Sequence, residues 1–499
     1  MPLPAPLTHQ PPLWVWFLVG AIDLAIRLIA LGVVPKRRRA STSTAWLLLI
    51  FLWPVVGVPL YLFFGSWWAM GKALRSDPAA HQLVKGILRG DSGSESRLVN
   101  DGMDERTASL MRLNQKQTSF PPSHGRVLQL LGDTDQAFEA MAREVDRAQH
   151  HVNVLYFQTS WDQSTDPLYK ALVRACARGV KVRLLIDHHG LRTIPGWRGF
   201  SRMLDESGIE WHLMLPMSIF KGHIRRPDLR NHRKLLIIDG QKAFIGSHNL
   251  VASDYDTPAY QKAGIEYHDT SVEVSGAVVR QVQAVFASDW YYATKQELSL
   301  EELNLSGDGE AHENSMGQPM QIIPSGPSYP SEPNLRMFIS MVSQARQHVS
   351  IASPYFIPDE PLLAALTGAA MSGVDVHLYV SEQFDQFLVG HAQRSYYGFL
   401  LKAGVKVHLY ALPNMLHSKY VVVDGELAAI GSSNMDYRSF GLNYEVMLLA
   451  HDSHLVDLLL ENDQRIIARS RLLTIDEWEA LPWYKHYIDN ICRLGSALL

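Results

Sequence analysis

Cysteine is almost missing from this 499-residue chain: Cys176 and Cys492 are the only two, far apart and without Cys-x-x-Cys spacing. That excludes a disulfide framework and a zinc knuckle. Charge is scarce as well, with 19% charged residues and a formal net charge of -4 at pH 7. A nucleic-acid partner would need a basic face to neutralise its phosphates, so none is expected and any anion site has to be local. Long apolar runs are lacking beyond about position 70, which confines membrane-crossing segments to the amino-terminal end.

What is present there is distinctive. Residues 13–34 are apolar except for Asp23 and Arg27, which are four apart and fall on one helix face as an expected ion pair. Residues 45–64 carry no charge, but Pro54, Gly57 and Pro59 oppose a straight helix and leave a kinked or re-entrant form open beside a span. Together the segments read as a transmembrane hairpin over residues 1–70. A cleaved signal peptide does not fit, because Lys36, Arg37, Arg38 and Arg39 follow the first apolar run instead of preceding it. If both segments span, the positive-inside rule keeps that basic turn in the cytoplasm and sends the remainder of the chain to the extracytoplasmic face. Lys72, Arg75 and Lys85 pull the other way.

Residues 71–125 are polar and read as a juxtamembrane connector. Two similar blocks follow, 126–302 and 334–499, separated by a Gly-, Pro- and Ser-rich linker at 303–333. In the first block Phe138, Met141, Val145 and Ala148 keep helical spacing ahead of a strand at 151–157; in the second, Leu335, Phe338, Val342 and Ala345 precede a strand at 348–354. Helices at 168–179 and 362–373 then lead into strands at 180–186 and 374–380. Alternating helices and near-continuous apolar strands predict two α/β domains built on mainly parallel sheets.

Each block carries His-x-Lys followed, after four residues, by Asp-Gly: His232, Lys234, Asp239 and Gly240 in one, His417, Lys419, Asp424 and Gly425 in the other. Gly246, Ser247 and Asn249 follow the first, and Gly431, Ser432, Ser433 and Asn434 the second. A single such motif is commonplace, but two in matched contexts indicate a duplication with a shared site. On an extended strand His and Lys two residues apart share a face, so an imidazole and an ammonium address one ligand. The residues after each lysine are Leu, Ile or Val, so the cation must line a cavity and needs a partner, which a phosphate supplies. Arg225, Arg226, Arg230 and Arg233 read either as a solvated loop or as phosphate-facing. His150, His151, His188 and His189 lack further ligands at metal spacing, so no metal is called for.

These paired motifs resemble those of the phospholipase D superfamily. Within it the bacterial cardiolipin synthases are the nearest likeness, through the 228–234 run, the 353–359 run and 431–440, and through the amino-terminal Trp46, Pro54, Gly57, Tyr61 and Gly65. Asp187, His188, His189, Gly190 and Leu191 depart from the family's usual loop after that strand. The resemblance implies two tandem phospholipase D-like domains forming a pseudo-twofold, bilobed catalytic unit behind a membrane hairpin. It implies a multi-pass protein of the bacterial inner membrane that transfers phosphatidyl groups between phosphatidylglycerol molecules, without a cofactor.

In the implied scheme His232 is the nucleophile and His417 the acid and base. Lys234, Lys419, Asn249 and Asn434 surround the phosphoryl oxygens, and Asp239, Asp424, Asp269 and Glu445 are candidates to orient the histidines. Hydrolysis of the same intermediate, another acceptor alcohol, and a catalytically dead membrane scaffold are the competing readings; a homo-oligomer is left open. Decayed motifs would mark the scaffold, and neither motif is decayed.

Overall fold

The computed structural model describes residues 12–36, 40–66, 77–89, 103–216, 228–305, 317–329 and 331–495. The chain divides into two compact units, Met1–Lys72 and Ala73–Ala497.

In the first unit α1 (Leu13–Val33) is the one described helix long and apolar enough to cross a membrane. The second apolar segment is not one continuous helix. It breaks into α2 (Ala40–Leu52) and α3 (Pro54–Leu60), the latter running into a wider turn at Tyr61–Gly65. Pro54 cannot donate a backbone hydrogen bond and pushes Trp53 out of the helical region, to φ -139° and ψ 76°. Beyond that break the chain folds back. A Cβ on Gly57 would lie 2.8 Å from the Ile50 backbone, and the Trp46 and Tyr61 rings meet edge-on at 5.6 Å. In a continuous helix positions 50 and 57 would stand roughly 10 Å apart. The 13 residues of α2 reach only about 20 Å, short of the roughly 30 Å of a hydrocarbon core. The expected ion pair does form: Arg27 meets Asp23 at 2.7 Å and also donates at 2.9 Å to the Phe51 carbonyl, one of the acceptors left open where α2 ends.

The second unit contributes β1 (Ser123–Leu131), β2 (His151–Tyr156), β3 (Lys181–Asp187), β4 (Glu210–Met214), β5 (Leu235–Ile238), β6 (Lys242–Gly246), β7 (Tyr267–His268) and β8 (Ser271–Ser275) from its first half. The second half supplies β9 (Gln318–Ser325), β10 (His348–Ala352), β11 (Asp375–Ser381), β12 (Lys406–Tyr410), β13 (Met415–Leu416), β14 (Tyr420–Val423), β15 (Leu427–Gly431), β16 (Glu445–His451) and β17 (Ser470–Leu472). Among the described residues these form one fifteen-stranded sheet, in the order β17-β12-β11-β10-β14-β15-β16-β9-β1-β8-β6-β5-β2-β3-β4, and a separate β7–β13 pair. β17 apart, the order reads outward alike in both directions from the β9–β1 contact, where Ser123 pairs with Met320.

The sheet is mixed, not mainly parallel. β2, β3 and β4, like β10, β11 and β12, run parallel, but β5 and β14 join them antiparallel and continue into antiparallel ladders. The cause is local. Asp239 and Gly240 have φ of 53° and 69°, Asp424 and Gly425 53° and 73°, and Gln241 and Glu426 donate back to Ile238 and Val423. Those are type I′ hairpin turns, which return the next strand antiparallel.

Two boundaries shift. The expected linker contains β9, a central strand whose Pro319 and Pro324 disguise it; β1 pairs with it only as far as Met320. The expected connector is part of the fold, since its helices Pro78–Leu88 and Glu105–Thr118 bury Ile87, Leu88, Leu110 and Met111. One face of the sheet carries a core common to both halves, running from Leu155, Leu235 and Trp290 to Val422 and Leu455. The opposite face holds separate cores around Phe138 and Phe338.

Candidate active site

Each histidine lies in the extended stretch that enters its hairpin, and each stretch pairs with the other half. Asn231 bridges to Tyr444, and the His232 N–H donates to the Tyr444 carbonyl at 2.9 Å. β13 pairs in parallel with β7, and the His417 N–H donates to the His268 carbonyl at 2.9 Å. The residue after Tyr444 is Glu445, and the residue after His268 is Asp269. The imidazoles therefore take their carboxylates across the molecule. His232 Nδ1 is 3.0 Å from one Glu445 oxygen and 3.1 Å from the other, and His417 Nδ1 is 2.6 Å from Asp269.

The supports match too. Ser432 donates to Glu445 at 2.5 Å and Ser247 to Asp269 at 2.6 Å. With only oxygen acceptors facing Nδ1, the proton sits there and Nε2 is the free nitrogen of each ring. Side-chain exposures of 12% for His232 and 9% for His417 leave an edge of each open. Phe157 lies edge-on to His232 at 5.1 Å, while Tyr267 and Tyr255 flank His417 at 5.6 and 6.4 Å.

Burial sets the charges. It lowers both imidazoles despite their carboxylates, His417 to about 4, so both rings are neutral near pH 7. Burial also brings Lys234 down to about 7, with Lys419 adding to the effect, and Lys419 to about 8 against the pull of Asp269 and Glu445. Burial alone would raise the carboxyls. His417 together with His248 and Lys419 overcomes it at Asp269, and His232 with Lys234 does so at Glu445, so both are held below their usual range. Each histidine also senses the lysine of the other half, which puts the four basic groups in one electrostatic neighbourhood. The ammonium groups each rest on their own histidine's carbonyl, at 2.8 Å for Lys234 and 2.6 Å for Lys419.

Several expected residues are placed elsewhere or otherwise engaged. Asp239 and Asp424 do not meet the imidazoles. Asp239 accepts the N–H groups of Gln149, His150 and His151 at 2.8 to 2.9 Å, and Asp424 those of Arg346, Gln347 and His348 at 2.8 to 3.1 Å. Seven residues of extended chain, roughly 23 Å, part each from its histidine, so they fasten the far end of the hairpin strand. The Asn249 amide donates to Gln158 and Tyr255, and that of Asn434 to Asp436, leaving a buried carbonyl oxygen on each without a hydrogen-bond partner.

Arg230 and Arg233 are buried framework. Arg233 grips Asp289 with two contacts of 2.7 Å and donates to the Glu445 carbonyl at 3.0 Å, while Arg230 lies 3.5 Å from Asp187. Arg225 and Arg226 lie outside the described residues. Sequence reasoning missed Asp289 and the roles of Asp187, Ser247 and Ser432. The matched Gly-Ser pairs were the only signal for the serines, and nothing adjacent marked Asp289. Among the described residues one group has metal-ligand spacing, His348, Asp375 and His377. It lies at the start of β10 and β11, while the end of β11, at Ser381, bonds to Leu416 beside His417; Asp375 is tied to Lys406 at 2.8 Å.

The profile of a family described as "Cardiolipin synthase, PLD-like domain" matches residues 141–290 and 338–466. Cardiolipin synthase A of Serratia proteamaculans is 30% identical over 97% of this chain and 98% of its own length, and the cardiolipin synthase of Halalkalibacterium halodurans 32% over 97% and 95%. The phosphatidylserine synthase of Haemophilus influenzae superposes with a TM-score of 0.55 at 15% identity, over 79% of this chain and 98% of that one, and shares the fold. The chain belongs to the bacterial cardiolipin synthase family of the phospholipase D superfamily.

Proposed function

We propose that the chain joins two phosphatidylglycerol molecules into cardiolipin and glycerol at a pseudo-twofold site shared by its two halves. The observation that carries this reading is the reciprocal pairing of His232 with Glu445 and His417 with Asp269. It gives two neutral imidazoles whose free Nε2 atoms can serve one phosphodiester. The two ammonium and two carboxylate groups balance in the empty site. A bound phosphodiester adds one negative charge, which favours taking up one proton on an imidazole.

In the proposed first step His232 Nε2 attacks phosphorus and the bond to the glycerol oxygen breaks. Protonated His417 gives that oxygen its proton, leaving phosphatidyl-His232. Glycerol departs. His417, now neutral, takes the proton from a hydroxyl of the second phosphatidylglycerol, whose oxygen displaces His232 and forms cardiolipin. Asp269 and Glu445 hold the rings through Nδ1–H, while Lys234 and Lys419 neutralise the phosphoryl oxygens. Asn249 and Asn434 are proposed to add hydrogen bonds there on rearranging.

The membrane arrangement follows the hairpin geometry. With α2 and α3 folded back before crossing, α1 is proposed to be the single span, which by topology alone would leave the rest of the chain on the side of the basic run at 36–39. The positive-inside rule makes that side the cytoplasm, in place of the extracytoplasmic face expected from two spans. A cysteine introduced at Glu461, 67% exposed, should react with a membrane-impermeant reagent only after spheroplasts are breached; labelling of intact spheroplasts would refute the assignment.

The functional test incubates purified protein with labelled phosphatidylglycerol and resolves the products. Cardiolipin and glycerol in equal amounts are expected. Phosphatidic acid as the main product would make the chain a hydrolase, and no turnover would favour the scaffold.

A further inference from the structure

The carboxy-terminal helix Trp483–Leu494 packs on the helix Phe387–Arg394 through a buried charge. Asp489, 1% exposed, accepts from His391 at 2.6 Å and lies 3.4 Å from Arg394. At 100° per residue, Trp483, Tyr487, Ile491 and Leu494 fall within about 60° of the direction opposite Asp489. They are exposed to 77, 59, 50 and 79%. The neighbouring helix exposes Phe387 and Leu388 as well, the Phe387 ring lying 4.3 Å from that of His391. Four large apolar side chains exposed on one helix face exceed the scatter of single exposed residues that any protein shows.

We infer that this surface seats the catalytic unit on a bilayer containing anionic phospholipid. Chemistry favours lipid as the occupant. Trp and Tyr present an apolar body with a polar tip suited to the headgroup boundary, and Ile and Leu reach beyond it. The helix's only acid, Asp489, is buried and paired on the opposite side, so no carboxylate of this helix faces an anionic surface.

Position favours lipid as well. Immediately before Phe387, Asp385 accepts from the Tyr355 hydroxyl at 2.7 Å and Gln386 donates to it at 3.1 Å. Tyr355 in turn senses Tyr255, whose ring stands edge-on to His417. Phe387 and Leu388 thus follow directly on the tyrosine group beside His417, the side from which a phospholipid leaving the bilayer is proposed to enter. The inference rests on the proposed phospholipid substrate.

The test uses the full chain with Cys176→Ser and Cys492→Ala, a single environment-sensitive fluorophore, and vesicles of phosphatidylglycerol and phosphatidylethanolamine. Probes at Phe387→Cys and Tyr487→Cys should shift to the blue and be quenched by acyl-brominated lipid, while one at Glu461→Cys should stay water-like. Water-like emission at 387 and 487, or equal quenching at all three positions, would overturn the inference. Cross-linking between copies through position 487 would assign the surface to a second chain and overturn it too. Trp483→Ser combined with Tyr487→Ser and Ile491→Ser should raise KM for vesicle-borne phosphatidylglycerol about fivefold or more, with turnover of dissolved short-chain phosphatidylglycerol kept. Equal loss on both substrates would count against a seating role. If the parent protein makes no cardiolipin while the probes still enter lipid, the functional reading fails and the seating surface stands.

Discussion

The two halves of the catalytic unit build the same device from different parts. His232 takes a glutamate, through contacts of 3.0 and 3.1 Å, and faces Phe157; His417 takes an aspartate at a single close distance, 2.6 Å, and faces Tyr255 and Tyr267. What both keep is the crossing: a strand partner from the opposite half, a serine behind the carboxylate, and a lysine folded onto the histidine carbonyl. The retained features are those a phosphodiester would need at either end. The divergent ones, side-chain length and ring neighbour, are where two unequal roles can be written.

The comparison is most severely tested by removing the rings. His232→Ala or His417→Ala should each lower turnover by roughly 10⁴-fold or more, since each deletes a nitrogen proposed to react. Incubation with labelled lipid and acid-labile capture of phosphohistidine separates them: label trapped in the His417 variant and never in the His232 variant supports the proposed order, and the reverse exchanges the roles. Removing the carboxylate charge comes next. Glu445→Gln and Asp269→Asn should cost on the order of 10² to 10⁴ in kcat with little change in KM, as ring-orienting carboxylates do. An effect confined to KM would deny the orienting role.

The lysines give a pH signature. As pH rises past about 7 and then 8, Lys234 and Lys419 lose their protons in the empty site, so KM for phosphatidylglycerol should climb at least about tenfold between roughly pH 6.5 and 8.5. Lys234→Arg should flatten the lower part of that rise; a level KM profile in the parent would contradict it. Because both lysines are depressed below 10.5, the unfolded chain binds more protons than the folded one from about pH 7 upward. Their contribution therefore makes the empty protein more stable as pH rises through that window.

Asp239→Ala and Asp424→Ala should behave alike. Each leaves three backbone donors unpaired, lowering stability by roughly 2 to 3 kcal/mol while kcat per folded molecule stays within about twofold. A large kcat loss at full stability would return these residues to the chemistry. Chelation with EDTA should change turnover least of all, because the proposed charge partners of the phosphate are ammonium groups.

Much of this was legible in the letters. The paired motifs, the strands near 151, 181, 348 and 375 and the helices before them stand within two residues of their expected places, because burial on both faces writes itself as apolar runs. What failed to show depends on partners distant in the chain. Asp239 was read beside His232 because they share a motif, yet the motif's spacing is that of a hairpin strand and its turn. Arg233 was left between a solvated loop and a phosphate-facing role because its partner Asp289 is 56 residues away. β9 hid behind two prolines, and the return of α3 onto α2 was signalled only by Pro54 and Gly57. The crossed carboxylates were nameable through family likeness alone, since no local pattern says which histidine either one serves.

Fifteen strands hydrogen-bonded in one continuous frame also decide how such a molecule can move. A clamshell works by bending between two lobes, but here β1 and β9 stitch the lobes edge to edge, and the imidazoles are braced from both sides of the seam. The continuous frame predicts that the gap between the two histidines keeps its width as lipid binds and leaves. Spin labels placed on the exposed Lys170 and Lys402 should report one unchanged separation with and without bound product; a shift of several ångströms would reveal a hinge.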